Sequence, residues 1–325
     1  MRRDRKGAEG TIVPRIIGID EAGYSPLLGP LVISAAAFDV RRQPADWWAA
    51  LRIPRAGDDA RAFATPVVDD SKKVYTPSEG VGRLETAVLA FLRLTGRRPS
   101  TLRQLLACVS ASPDTQAYPW YAGQDVAIPL AADPAAIERA AGALGESIRR
   151  AGAAFTGFRS LPVLAGDLNE RVRLCGNKAT VLFTATLDLA RHFVGGLDTA
   201  FLIDKQGGRD FYGSLISQYF FGAFVTEGVE GNDLSTYAVE HGGRRFDMSF
   251  CVGGDGCHLP IALASMLSKY IRELFLELFN RYWKSIKPDL PRTSGYRLDG
   301  RRFLDAISSL PEFRRVPREM IVRMK

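Results

Sequence analysis

Arg15-Ile16-Ile17-Gly18-Ile19-Asp20-Glu21-Ala22-Gly23-Tyr24-Ser25-Pro26-Leu27-Leu28-Gly29-Pro30-Leu31-Val32-Ile33 is the stretch on which the fold turns. An apolar run (Ile16, Ile17, Ile19) ends in two adjacent carboxylates. A Gly/Pro-rich turn follows, then a second apolar run through Val32, Ile33 and Ala35. The pattern predicts a β-hairpin whose first strand delivers Asp20 and Glu21 near its end. Successive strand residues face opposite sides, so the two acids cannot both look outward to one partner from an unbent strand. Carboxylates beside a buried sheet are costly unless something cationic accompanies them. On this stretch alone, two acids in a loop entering solvent is the simpler account; residues further along reverse that balance.

With 325 residues the chain is long enough for one elaborated domain or for two. Hydrophobic residues at 46% and charged residues at 24% give enough apolar mass for a sizeable core. No apolar run approaches the ~18 residues that cross a bilayer, and Met1 to Gly7 lacks the apolar segment of a secretory signal. A cytoplasmic protein with no membrane partner is expected. Four cysteines (Cys108, Cys175, Cys251, Cys257) fall at irregular spacings with no Cys-x-x-Cys pair, which predicts reduced, structural thiols and no zinc site. The formal net charge of +7 favours polyanionic partners, nucleic acid above all. Much of that excess lies at the two ends, where solvated tails are the alternative.

Residues 1–14 read as a disordered basic tail. Val67-Val68-Asp69-Asp70-Ser71-Lys72-Lys73 is a short apolar pair ending in a loop with two lysines, and Ser78 to Leu94 reads as a helix. Residues 96–135, rich in Pro, Ser and aromatics, read as an insertion or lid. Helices are expected over 134–151 and from about Asn177 to Phe193, where Val181, Leu182, Ala185, Leu189 and Phe193 recur at helical spacing. Thr199 to Ile203 is a second apolar run ending in an acid, Asp204, which predicts a buried strand reached by a crossover and paired partly in parallel. Ser235 to Val252 reads as a hairpin about Gly242-Gly243. Asp255 lies in a Gly-rich loop ahead of a long helix from Ile261 to about Trp283, and a last helix is expected near Tyr296 to Ile307.

Four carboxylates therefore share a pattern: Asp20 and Glu21 after one strand, Asp204 after another, Asp255 before a helix. Open α/β sheets place their sites beyond the carboxyl ends of strands, so these acids can converge. An all-oxygen set with no His or Cys suits Mg²⁺ or Mn²⁺. Two such ions about 3.5–4 Å apart can clamp the attacking water and leaving oxygen of a phosphodiester.

At this point the chain resembles the ribonuclease HII (type 2 ribonuclease H) family. Gly18-Ile19-Asp20-Glu21-Ala22-Gly23 with Pro26-Leu27 and Gly29-Pro30 is similar to the family's first signature, and Asp70-Ser71-Lys72-Lys73 to its second. Asp255 followed by Ala264-Ser265, Lys269 and Arg272 resembles the family's acid and helix, and Gly295-Tyr296 its C-terminal glycine-tyrosine. Asp167, Asn177 and Ala179-Thr180 are a looser match. The resemblance covers residues 15–38, 67–76, 165–205 and 253–307.

The resemblance implies an α/β, ribonuclease H-like mixed sheet flanked by helices over residues 15–285, with insertions at about 96–160 and 206–252. A C-terminal helical, substrate-binding segment over 286–325 would follow. Asp20, Glu21, Asp204 and Asp255 would be the catalytic carboxylates holding two Mg²⁺ or Mn²⁺ ions. The substrate would be an RNA–DNA hybrid, or a DNA duplex with embedded ribonucleotides, cut to 3′-hydroxyl and 5′-phosphate ends. Lys72 would contact a phosphate near the scissile bond, and Tyr296 would stack on the sugar past the junction. Gly23, Tyr24 and Ser25 stand where the family reads Gly-Arg-Gly, whose backbone grasps the 2′-hydroxyl, the group that distinguishes RNA from DNA. The missing arginine and second glycine leave substrate choice open. A nucleic-acid-binding protein with altered catalysis, or a related nuclease with another DNA or RNA substrate, is the alternative.

Overall fold

A computed structural model describes residues 14–195, 198–206 and 209–324. Of the expected tail, residues 1–13 lie outside the described residues.

The hairpin forms as expected. β1 (Arg15–Ala22) and β2 (Leu31–Val40) pair antiparallel, with Asp20 opposite Ser34 and Glu21 opposite Ile33. Beyond β2 the chain makes α1 (Trp47–Leu51), a 3₁₀ turn at Ala60–Ala62 and the short α2 (Ser71–Val74). Helices α3 (Gly82–Leu94), α4 (Leu102–Cys108) and α5 (Pro134–Arg150) follow, the last started by Asp133, whose carboxylate accepts from the amides of Ala135 and Ala136. The expected start of α3 at Ser78 is corrected to Gly82, because Thr76 to Gly80 closes a turn of its own (Gly80 N–H to Thr76 O, 2.9 Å).

β3 (Ala153–Val163) then runs antiparallel to β2 along its whole length. Next come α6 (Ala165–Cys175), α7 (Lys178–Arg191) and β4 (Thr199–Asp204). Asn177 caps α7 by accepting from the Thr180 amide at 2.7 Å. β4 lies parallel to β1, with Ile203 beside Ile19. The crossover inferred from helix-then-strand order is therefore present.

After α8 (Gly213–Tyr219), three antiparallel strands complete the sheet: β5 (Phe224–Glu230), β6 (Leu234–His241) and β7 (Arg244–Cys251). β7 pairs in parallel with β4, giving a seven-stranded mixed sheet in the order β3-β2-β1-β4-β7-β6-β5. The short α9 (Gly254–Cys257) leads into α10 (Leu259–Ile286), and α11 (Arg297–Ile307), α12 (Pro311–Arg314) and α13 (Arg318–Ile321) close the C-terminal helical segment. Among the described residues no helix is long and apolar enough to cross a membrane.

Each face of the sheet carries its own core. Ile16, Val32, Ala36 and Leu202 point toward α10, α3 and α5, whereas Ile17, Ile19, Ile33, Phe201 and Ile203 point toward α7 and α8. Strand alternation accounts for this split. Helix α10 lies almost against β1: a methyl group on Gly18 would come within 2.1 Å of the Pro260 carbonyl carbon. No other residue fits there, and this contact sets the position of the helix start relative to the end of β1.

The lid reading of residues 96–135 is corrected. Tyr118, Trp120 and Tyr121 are at most 5% exposed, and Trp120 sits edge-on to Phe279 and Tyr282 of α10. Aromatic density, which marks a surface platform as readily as an interior, here marks the core. The segments expected as insertions, about 96–160 and 206–252, contribute most of β3 and all of β5, β6 and β7 to the sheet.

Candidate active site

Asp20 is the sixth residue of β1 and Asp204 the last of β4. Because Ile19 and Ile203 are register partners, the two aspartates stand side by side at the carboxyl ends of parallel neighbours. Both fall on the face covered by α10. Asp255, in α9, is held beside them: the amide of Gly254 donates to Asp204 Oδ1 at 2.7 Å, joining the acid of β4 to the segment that carries Asp255. Glu21 faces the other way, yet it sits one residue before the end of β1, where both sides of the strand open into the same cleft. Its amide donates to Asp20 Oδ1 at 2.7 Å.

That cleft, about 550 Å³, is lined by Asp20, Glu21, Asp204 and Asp255 together with Lys72 and Tyr296. Gly23, Tyr24 and Ser25 form one wall. The fold thus brings all nine residues singled out in the sequence to one place. It adds Ser71, Tyr75, Ser265, Lys269 and Arg272, which sequence reasoning did not treat as site residues. The last three already stand in the sequence pattern that follows Asp255, without a role of their own there; spaced by four and three residues, Ser265, Lys269 and Arg272 form one stripe of α10. Ser265 and Ser71 hydroxyls meet at 3.0 Å, and Ser268 Oγ donates to the Asp20 carbonyl at 3.1 Å. Lys269 Nζ binds Glu273 at 2.5 Å and lies 4.2 Å over the Tyr75 ring, whose hydroxyl donates to Glu273 at 3.0 Å.

The electrostatics follow from this crowding. Burial, then Glu21 and Asp204, hold the Asp20 carboxyl well above the ordinary range, with hydrogen bonding to Ser265 opposing them. Glu21 is pushed to about 7 by burial and by Asp204, against the pull of Lys72. Asp255 is pushed to about 6 by burial, Asp70 and Asp204. Asp204 is raised by burial, though the Gly254 amide and Lys72 work against it. For Lys72, burial favours loss of the proton, but Asp70, Asp255, Asp20 and Asp204 outweigh it and the net direction is up. The site is an excess of negative charge that one lysine does not neutralise.

A divalent cation is the natural relief, and the all-oxygen donor set fits Mg²⁺ or Mn²⁺. Among the described residues, no group of three or more His, Cys, Asp or Glu side chains is placed to hold a metal ion. Cys257 and Cys251, beside the site, are free thiols.

Beneath the wall of the cleft lie two buried arginines. Arg272, 1% exposed, donates to the carbonyls of Pro30 (2.7 Å), Leu28 (3.0 Å) and Ser294 (3.2 Å). Arg323, 3% exposed, donates to those of Gly23 (2.5 Å) and Tyr24 (3.1 Å). The β1–β2 turn is therefore gripped by guanidinium groups from behind. Gly23 must be glycine there: its φ is +87°, and a Cβ would meet the Pro30 carbonyl oxygen at 2.7 Å. Sequence order hides this, since Arg323 lies 300 residues from Gly23.

A scan against family models and a search of curated proteins found no match. Among solved structures, the chain is similar to the RNase HII of the PCNA:RNase HII complex from Archaeoglobus fulgidus, at 15% identity and a TM-score of 0.41, covering 95% of this chain and 94% of that one. It is similar to ribonuclease H2 from Pyrococcus horikoshii at 15% identity and a TM-score of 0.43, covering 95% and 92%. It is also similar to Bst-RNase HIII in complex with Mn²⁺, at 13% identity and a TM-score of 0.40, covering 98% and 68%.

Proposed function

We propose that this protein is a metal-dependent endoribonuclease of the ribonuclease HII kind. It hydrolyses RNA phosphodiester bonds in RNA–DNA hybrids or at ribonucleotides embedded in duplex DNA, leaving 3′-hydroxyl and 5′-phosphate ends. The observation that carries this reading is the meeting of four carboxylates from distant positions in one cleft, each with raised proton affinity, beside Lys72 and Tyr296.

Asp20, Glu21, Asp204 and Asp255 would hold two Mg²⁺ or Mn²⁺ ions, which supply Lewis acidity and a water of lowered pKa. The protein's own groups do the positioning. Lys72, exposed at the rim, pairs with a phosphate oxygen near the scissile bond and adds positive charge where the transition state gains negative charge. Tyr296, half exposed at 49%, offers a ring face to the sugar beyond the junction. The Gly23-Tyr24-Ser25 backbone, its Gly23 and Tyr24 carbonyls occupied by Arg323, turns toward the 2′-hydroxyl.

A non-cleaving nucleic-acid binder is the second reading; it is favoured by the Tyr24-Ser25 turn and by acids that are not yet gathered into a shell. Incubation with a duplex containing one ribonucleotide, a full hybrid and pure DNA, with Mg²⁺ or Mn²⁺, separates the two. The nuclease reading expects cleavage of the first two and none of the third; binding without cleavage of any of them contradicts it.

A further inference from the structure

Across the Tyr24–Pro26 turn from the acids lies a second, smaller cleft of about 220 Å³ with the opposite charge. Four cations line it, Lys178, Arg297, Arg301 and Arg323, and no Asp or Glu does. They come from three separate parts of the chain. Lys178 is the first residue of α7, and Arg297 the first of α11. Arg301 lies one turn further along the same face of α11. The positive ends of two helices thus add to the formal charges.

None of the four forms an ion pair with a carboxylate among the described residues, although fifteen such pairs are present elsewhere. Arg302, next to Arg301, is satisfied by Asp299 at 2.5 Å, so acid is at hand on α11 but is spent away from the cleft. Arg323 is buried, bonded only to backbone carbonyls, and its Nε has no partner. The Lys178 ammonium stands 4.7 Å over the Tyr24 ring, which holds it at the wall shared with the acid cleft. Burial, Arg323 and Arg297 all favour loss of its proton, the direction expected of a cation among cations.

We propose that this cleft binds a backbone phosphate of the duplex other than the one being cut. Guanidinium pairs on one helix face match the oxygens of a phosphodiester, and Lys178 and the helix starts complete an anion cradle. Ser25 and Asp20 are five residues apart, at most about 18 Å of extended chain. At ~3.4 Å per nucleotide the held phosphate lies within about five steps of the acids. The turn between the clefts is thereby fixed against the substrate from both sides, and the assignment rests on the nuclease reading above.

The test is equilibrium binding of a single-ribonucleotide duplex in EDTA, over a series of salt concentrations, for the parent chain and the Arg297→Gln/Arg301→Gln double variant. Both arginines are exposed, and thermal melting checks that the variant folds. The expected result is roughly ten-fold weaker binding at fixed salt, with the slope of log K against log salt reduced by about one. In a companion titration, inorganic phosphate raises the melting temperature of the parent and not of the variant. A parent that binds and cuts the duplex while the variant keeps its affinity and slope overturns this assignment alone. A parent that neither binds nor cuts removes the nuclease reading and this one with it.

Discussion

Asp20 and Asp204 lie side by side because Ile19 and Ile203 are register partners of the parallel strands β1 and β4. Two like charges in that position repel, and burial makes the repulsion stronger. Gly18 lets α10 press onto β1, which brings Asp255 and Ser265 to the same spot; Asp255 adds to the repulsion, and Ser265 opposes it through its hydrogen bond to Asp20.

Metal-free protein should lose stability as pH rises. Glu21 moves from 4.5 to about 7 and Asp255 from 3.8 to about 6, so between those limits the folded chain holds protons the unfolded chain has shed. Stability from these groups is complete below about pH 4 and is lost as pH climbs through 6 to 7. Thermal melting in EDTA at pH 5 and pH 8 checks this, with Glu21→Gln expected to flatten the fall. Added Mg²⁺ or Mn²⁺ should raise the melting temperature more at pH 8 than at pH 5.

Arg272→Met should destabilise the protein by about 2–4 kcal/mol. The substitution relieves a buried charge, but it leaves the carbonyls of Leu28, Pro30 and Ser294 without their donor, and the second effect wins. Denaturant unfolding measures it; an unchanged midpoint would mean the guanidinium is not what holds the turn.

Trp120→Ala should cost about 3–5 kcal/mol, the usual loss for emptying a large aromatic site, while the folded variant keeps its cleavage rate below its melting temperature. A lid residue would show the reverse, with activity lost and the unfolding midpoint kept.

Tyr296→Ala should slow cutting at an RNA–DNA junction roughly ten-fold, and cutting within uniform hybrid less, as expected when one stacking contact is removed. Equal losses on the two duplexes would argue against a role at the junction sugar.

Much of the site was legible because its residues obey local rules. Acids that end apolar runs, at Asp20 and Asp204, are readable as strand ends, and the hairpin about Gly242-Gly243 announces itself by its glycines. The burial of Trp120 was not legible, since aromatic residues look alike on a surface and in a core. Nor was the role of Arg323, whose partners are backbone carbonyls 294 to 300 residues away. A backbone carbonyl has no sequence identity, so nothing in the chain foretells it. The cation cleft was hidden for the same reason: Lys178, Arg297 and Arg323 meet only once α7, α11 and the C-terminal segment are in place.

Cleavage of a duplex with a single embedded ribonucleotide, by the parent chain and by its Asp20→Asn and Asp204→Asn variants with Mg²⁺ or Mn²⁺, tests the central claim most directly. The account predicts a cut at the ribonucleotide by the parent and a rate at least ~10³-fold lower for either variant, with both variants folded and no less heat-stable in EDTA. An aspartate pair that can be converted to asparagine without loss of cleavage would contradict it.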